Sequence, residues 1–149
     1  MNNKNMIFDF DGTLADSKQC SVLATQQAFR KFGLAEPSVE LIEHYMGIPI
    51  EVSFKEMAET EFTDELFEEL LVTFRQAYKE HENDTLAVFP YIPEVLNNLV
   101  QDGKQLFVVS SKKSDVLLRN LQTLKIDTYF KDILVLTKYP IINRIQQAF

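Results

Sequence analysis

Three short apolar runs constrain this chain more than any other feature: Met6-Ile7-Phe8, Leu106-Phe107-Val108-Val109 and Ile133-Leu134-Val135-Leu136. None alternates with polar residues, and each is too short for a helix. Continuous runs of this kind mark strands buried on both faces, as in a parallel sheet covered by helices. The first strand is expected at about residues 4–10. Between the second and third runs, Ser114 is placed to cap a helix with Leu117, Leu118, Leu121 and Leu124 on its apolar face. Ahead of the second run, Phe89-Pro90-Tyr91-Ile92-Pro93 reads as a rigid extended link. Pro93 is then the first residue of a helix carrying Val95, Leu96, Leu99 and Val100, which Gly103 ends. The order β, then α-β-α-β, predicts an α/β fold with a parallel sheet.

Residues 15–83 have a different texture and predict only helices. Asp16 or Ser17 can cap one starting near 17, with Val22, Phe29 and Phe32 inward and Gly33 as its stop. Ser38 can cap a second, ending near Gly47, and Pro49 suits the first turn of a third. Thr63 opens the clearest helix, in which Leu66, Phe67, Leu70, Leu71, Phe74, Ala77 and Tyr78 form one stripe. The expected organisation is an α/β core of residues 1–14 and 84–149 with a helical insert of residues 15–83. The 12 Phe residues mostly follow helical spacing and read as core.

Charge separates the two parts. The net charge is −7, yet residues 36–85 hold 14 acids and three bases while the remainder holds eight acids and 12 bases. The acid run reads as solvated helix faces, and no basic stripe of the kind nucleic-acid binders carry is present. The mildly basic core suits a small anionic substrate. A single cysteine, Cys20, excludes an internal disulfide and a cysteine-cluster zinc site. His44 and His81 lie apart on acidic helices and read as surface or partly packed side chains. No apolar run approaches the ~20 residues of a membrane helix, and the polar Met1–Asn5 start makes no secretory signal. A cytoplasmic protein without membrane or nucleic-acid partners is expected.

The string Asp9-Phe10-Asp11-Gly12-Thr13-Leu14-Ala15-Asp16-Ser17 carries the chemistry. It sets two carboxylates, two residues apart, at the carboxyl end of a buried strand, where open α/β sheets bind ligands. Gly12 lets the backbone turn sharply and a ligand approach closely. Two nearby carboxylates can divide the roles of charged nucleophile and protonated acid, or hold a hard cation such as Mg²⁺. A calcium loop needs its Gly five residues after the first Asp and its Glu eleven after, whereas here Gly12 comes three after Asp9 and position 20 is Cys. Phosphate- and dinucleotide-binding glycine motifs need clustered glycines, and those here stand at 12, 33, 47 and 103. The plainer reading is an Asp-Gly turn with Asp16 as a helix cap.

Asp9-x-Asp11-Gly12-Thr13-Leu14-x-Asp16-Ser17 resembles the first signature of the haloacid dehalogenase superfamily, over roughly residues 5–138. The chain is most similar to the phosphoglycolate phosphatase-like branch, in which a helical cap is inserted after that signature. Phe89-Pro90-Tyr91-Ile92-Pro93-Glu94-Val95-Leu96 is similar to the segment re-entering the core, and Tyr45-Met46-Gly47-Ile48-Pro49 lies where such caps carry a substrate-facing loop. The resemblance implies a Rossmann-like parallel sheet core, incomplete at the C-terminus, with an all-helical cap. It implies a Mg²⁺-dependent phosphatase of small phosphate monoesters. Asp9 would be the nucleophile that forms an aspartyl-phosphate, and Asp11 the general acid, then base. Both would be Mg²⁺ ligands. Gly12, Thr13, Ser110, Ser111 and Lys138 would bind phosphate. Members that remove halide lack the second Asp, so Asp11 favours phosphate chemistry. The family's Lys is usually followed directly by Pro, but Lys138-Tyr139-Pro140 has Pro one place late; Lys112 is the alternative cation.

The family's fourth signature, an acidic loop beyond the Lys, has no counterpart, because no acid follows Asp132. Two consequences are expected of this chain: weak Mg²⁺ binding with little turnover, and self-association through an exposed first-strand edge. A non-catalytic remnant that binds a partner or phosphate is the competing reading, and a sugar-phosphate mutase of the same superfamily is the third. The substrate, a small phosphorylated metabolite, is not named by the sequence.

Overall fold

The structure is a computed structural model that describes residues 4–135. Three parallel strands form its sheet: β1 (Asn5–Asp9), β4 (Gln105–Ser110) and β5 (Phe130–Val135), in the order β1-β4-β5. The register pairs Asn5 with Gln105 and Asp9 with Val109, and then Ser110 with Val135. All three strands therefore end at the same edge of the sheet. β4 is the central strand, and its Leu106, Phe107 and Val108 are buried, which accounts for the uninterrupted apolar run. β1 forms one edge of the described sheet, with Ile7 43% exposed.

The helices α5 (Ile92–Gln101) and α6 (Ser114–Thr123) lie between β3 (Ala87–Val88), β4 and β5 in the chain. α5 packs on β4 and α6 on β5, burying Leu96 from the first, and Leu117 and Leu121 from the second. A 3₁₀ turn at Asp127–Tyr129 leads into β5. β2 (Ala15–Asp16) pairs antiparallel with β3, Ala15 opposite Val88 and Asp16 opposite Ala87.

The chain divides into two compact units, Met1–Asp16 with Ala87–Phe149, and Ser17–Leu86. The second unit is helical: α1 (Lys18–Lys31), α2 (Val39–His44), α3 (Ile50–Ala58) and α4 (Asp64–Thr85). Its core is aromatic. Phe54 meets Phe29 edge-on at 5.4 Å and Phe74 edge-on at 4.9 Å, and Cys20, Leu70 and Leu71 are buried around them. Ser38 and Thr63 cap α2 and α4 by accepting from the backbone N–H of Leu41 and Leu66. Among its surface groups, Gln27 and then Gln76 donate to the Glu80 carboxylate and hold its pKa below the ordinary carboxylate value.

Several expected details differ. Residues 15–16 are a strand of the α/β unit and not the start of the helical block, because a tight turn after β1 lays them beside β3. A two-residue ladder leaves no periodicity to read. Ser17 occupies the N-cap of α1 without a side-chain cap bond. Pro49 precedes α3 and is its N-cap. The link at 89–93 is a turn, not an extended segment: Tyr91 has φ 68° at the N-cap of α5, and Pro93 follows Ile92 as the helix's second residue. Ser114 is the first residue of α6, and Lys113 takes the N-cap position without a side-chain bond. Leu66 and Leu118, expected on apolar faces, are exposed. Among the described residues no helix is long and apolar enough to cross a membrane.

Candidate active site

The turn after β1 is built on one carbonyl. Phe10 O accepts from the backbone N–H groups of Thr13, Leu14 and Ala15 at 3.2, 3.0 and 3.0 Å. Gly12 adopts φ 77°, where an L side chain is strained, and donates its N–H to Ala15 O at 2.9 Å. Phe10 and Leu14 are wholly buried and anchor the turn, while Asp9, Gly12 and Thr13 are exposed. The turn thus pins its apolar residues inward and leaves the polar ones at the sheet edge. Asp9 Oδ1 accepts from Phe10 N at 2.8 Å, which fixes the carboxylate on its own backbone.

Ser110 ends the neighbouring strand. Val109, which precedes it in the chain, pairs with Asp9, so Asp9 and Ser110 reach the same edge from adjacent parallel strands. Ser110 is buried, and its Oγ accepts from Lys112 N at 3.1 Å. A hydroxyl that accepts here keeps its own hydrogen to donate. Ser111 is exposed on the turn that follows.

Lys112 joins the two strand ends. Its Nζ donates to Asp11 Oδ1 at 3.0 Å and to Asn120 Oδ1 at 3.1 Å, and lies 5.0 Å over the Phe10 ring. Its side chain is 16% exposed and that of Asp11 28%, so the ion pair is partly withdrawn from water. The sequence offered Lys112 only as an alternative cation, and Lys138 lies outside the described residues. Asn120 was not foreseen at all. Its signal was available: it stands between Leu117 and Leu121, on the buried stripe of α6, where a polar residue is out of place.

Asp9 and Asp11 are hard oxygen donors at one strand end. Mg²⁺ takes one or two carboxylates and keeps several waters, so these residues fit a sparse Mg²⁺ site. Among the described residues no group of three or more His, Cys, Asp or Glu gathers to form a fuller cage. Asp132 pairs in register with Phe107, three residues before Ser110, which puts it about 10 Å down the sheet from the site edge. Asp115 is exposed in the first turn of α6. His44 packs edge-on against Tyr45, and His81 Nε2 lies 2.8 Å from Gln27 Oε1, so each has a structural setting in the helical unit.

Known proteins share this arrangement of sequence and fold. The chain is 30% identical over 130 residues to a phosphoglycolate phosphatase of Aquifex aeolicus, covering 87% of this chain and 59% of that protein. It is 30% identical over 129 residues to a 5'-nucleotidase of Pseudomonas aeruginosa, covering 87% of this chain and 58% of that protein. The solved structure of a predicted phosphoglycolate phosphatase from Haemophilus somnus matches with a TM-score of 0.83 at 26% identity, over 92% of this chain and 64% of that one. The chain therefore spans less than two thirds of each. The sequence pattern of the haloacid dehalogenase-like hydrolases matches residues 6–141, a stretch that takes in both strand ends and the turns after them. With that pattern running through Asp9, Asp11 and Ser110 alike, the chain belongs to the haloacid dehalogenase-like hydrolase family.

Proposed function

We propose that the chain carries the catalytic strand ends of a Mg²⁺-dependent phosphatase acting on small phosphate monoesters. The observation that supports this most is that Asp9 and Ser110 end adjacent parallel strands at the same edge, with the Asp11–Lys112 ion pair beside them. The names of two relatives, a phosphoglycolate phosphatase and a 5'-nucleotidase, share the phosphate monoester as their substrate class.

In this reading a carboxylate oxygen of Asp9 attacks phosphorus, and the bond from phosphorus to the leaving oxygen breaks. Asp11 is an ion-paired carboxylate in the substrate-free chain; with substrate bound it takes up a proton from solvent and gives it to that oxygen, forming the alcohol. Asp11, now a carboxylate, takes a proton from a water whose oxygen attacks the aspartyl-phosphate; the phosphorus–Asp9 bond breaks and inorganic phosphate leaves. Ser110 donates its hydroxyl hydrogen to a phosphate oxygen, and Lys112 supplies positive charge on that side. Mg²⁺, held by Asp9 and Asp11, would neutralise charge on the transferred phosphoryl group. Within these 149 residues no acid follows Asp132, so the isolated polypeptide holds the cation weakly and turns over slowly.

Release of inorganic phosphate from p-nitrophenyl phosphate, with the wild-type chain and Asp9→Asn measured side by side, tests the proposal. Slow Mg²⁺-dependent release that Asp9→Asn abolishes is the expected result. Phosphate binding without release by the wild type would favour a non-catalytic binding role instead.

A further inference from the structure

Asn120 is wholly buried, and on α6 it lies between the buried Leu117 and Leu121. Its Oδ1 accepts from Lys112 Nζ at 3.1 Å, and this bond fixes which way round the carboxamide lies, since the flipped group would turn donors toward an ammonium. The price is that Nδ2 is left buried with no hydrogen-bond partner among the described residues. An unpaired buried donor is destabilising, whereas an apolar residue of similar shape would incur no such penalty. Packing alone therefore gives no reason for Asn at this position.

The Lys112 ammonium explains it. A lysine stem is flexible, and a single contact to a partly exposed carboxylate leaves it many arrangements. The contacts on this residue include Lys112 N on Ser110 Oγ at 3.1 Å, Nζ on Asp11 Oδ1 at 3.0 Å, Nζ on Asn120 Oδ1 at 3.1 Å, and the Phe10 ring beneath at 5.0 Å. Asp11 is 28% exposed, whereas the Asn120 oxygen is wholly buried and mounted on a packed helix.

We infer that Asn120 is a positioning residue whose buried carboxamide oxygen holds the Lys112 ammonium on Asp11, so that the cation and the acid–base carboxylate meet the substrate as one preset pair. The role of the pair in turnover rests on the phosphatase reading; the holding of the pair does not.

The test separates the two. Coupling between Asp11 and Lys112 is measured by urea unfolding of wild type, Asp11→Asn, Lys112→Met and the double variant, then repeated with Asn120→Leu in every chain. The expected coupling is on the order of fivefold in the unfolding constant with Asn120 present, falling below about twofold in the Asn120→Leu set. Asn120→Leu itself is expected to unfold at the same or higher urea concentration than wild type, because it removes the orphaned amide. Asn120→Ala, which removes the same oxygen, replaces Asn120→Leu if the latter does not fold. Coupling that persists without the Asn120 oxygen, or none in the wild type, overturns the inference whatever turnover does. Steady-state hydrolysis of p-nitrophenyl phosphate by Asn120→Leu supplies the second readout, with kcat expected to fall about tenfold and KM to change less. If no chain hydrolyses the ester while the coupling behaves as expected, the phosphatase reading fails and the positioning role stands.

Discussion

Lys112 Nζ stands 3.0 Å from Asp11 Oδ1, an ion pair between residues 101 positions apart in the chain. It ties the turn after the first strand to the turn after the central one. The two segments that carry the candidate site are therefore linked by side chains as well as by the sheet. On the phosphatase reading, replacing Asp11 would touch this link and the proton transfer together.

For Asp11→Asn, kcat is expected to drop about 10²–10⁴-fold, the range of acid–base assistance, with KM nearly unchanged. Steady-state kinetics on purified protein separates the two parameters. A large rise in KM at unchanged kcat would assign Asp11 to substrate binding instead.

Asp9→Asn keeps the shape of the side chain and removes its charge. Its turnover is expected to fall by at least about 10³-fold, with circular dichroism unchanged. Wild-type turnover from this variant would sink the assignment of Asp9 as nucleophile.

Mg²⁺ is expected to bind weakly to the isolated chain, because Asp9 would supply one carboxylate and Asp11 one backbone oxygen, and no group of three acids gathers among the described residues. Titration calorimetry reads this directly. Tight binding would require a further acid at the site, and variants at Asp115 and Asp132 would show whether either supplies it.

Tyr91 offers a test of backbone strain away from the chemistry. It holds φ 68° at the N-cap of α5 with its side chain 76% exposed. A left-handed conformation costs a non-glycine residue about 1–2 kcal/mol, while little packing is lost on truncation. Tyr91→Gly is expected to raise stability by about 1 kcal/mol in urea unfolding, after the entropy glycine regains in the unfolded chain. A destabilised variant would mean that the ring makes contacts its exposure conceals.

What the sequence disclosed follows from the range of the signals. Leu106–Val109 stood out as a strand because burial on both faces of the central strand removes polar residues from it, and Met6–Phe8 stood out by its apolar run although Ile7 is 43% exposed at the edge. Ser38 and Thr63 were readable as caps because a cap acts on the N–H three residues ahead. Asp9 and Asp11 could be proposed from the strand end and its Asp-Gly turn, whereas Ser110 was proposed only through the family resemblance. The pairing of Ala15 with Val88 was invisible, since it depends on a turn closing over a long insertion. Tyr91 was misread because nothing in a Pro-Tyr-Ile-Pro string announces a left-handed residue. Asn120 was passed over because its partner, Lys112, lies beyond the helix that carries it.

The register of β1 against β4 places Asn5 beside Gln105, with the whole of Ser17–Leu86 between them in the chain. During synthesis at about 5–20 residues per second, the strand bearing Asp9 waits roughly 5–20 s before its only described partner strand is made. The helical unit has all of its own residues well before that. The strand of Asp9 is thus among the first parts of the protein to be synthesised, and its apolar residues stay without that hydrogen-bonding neighbour throughout this interval.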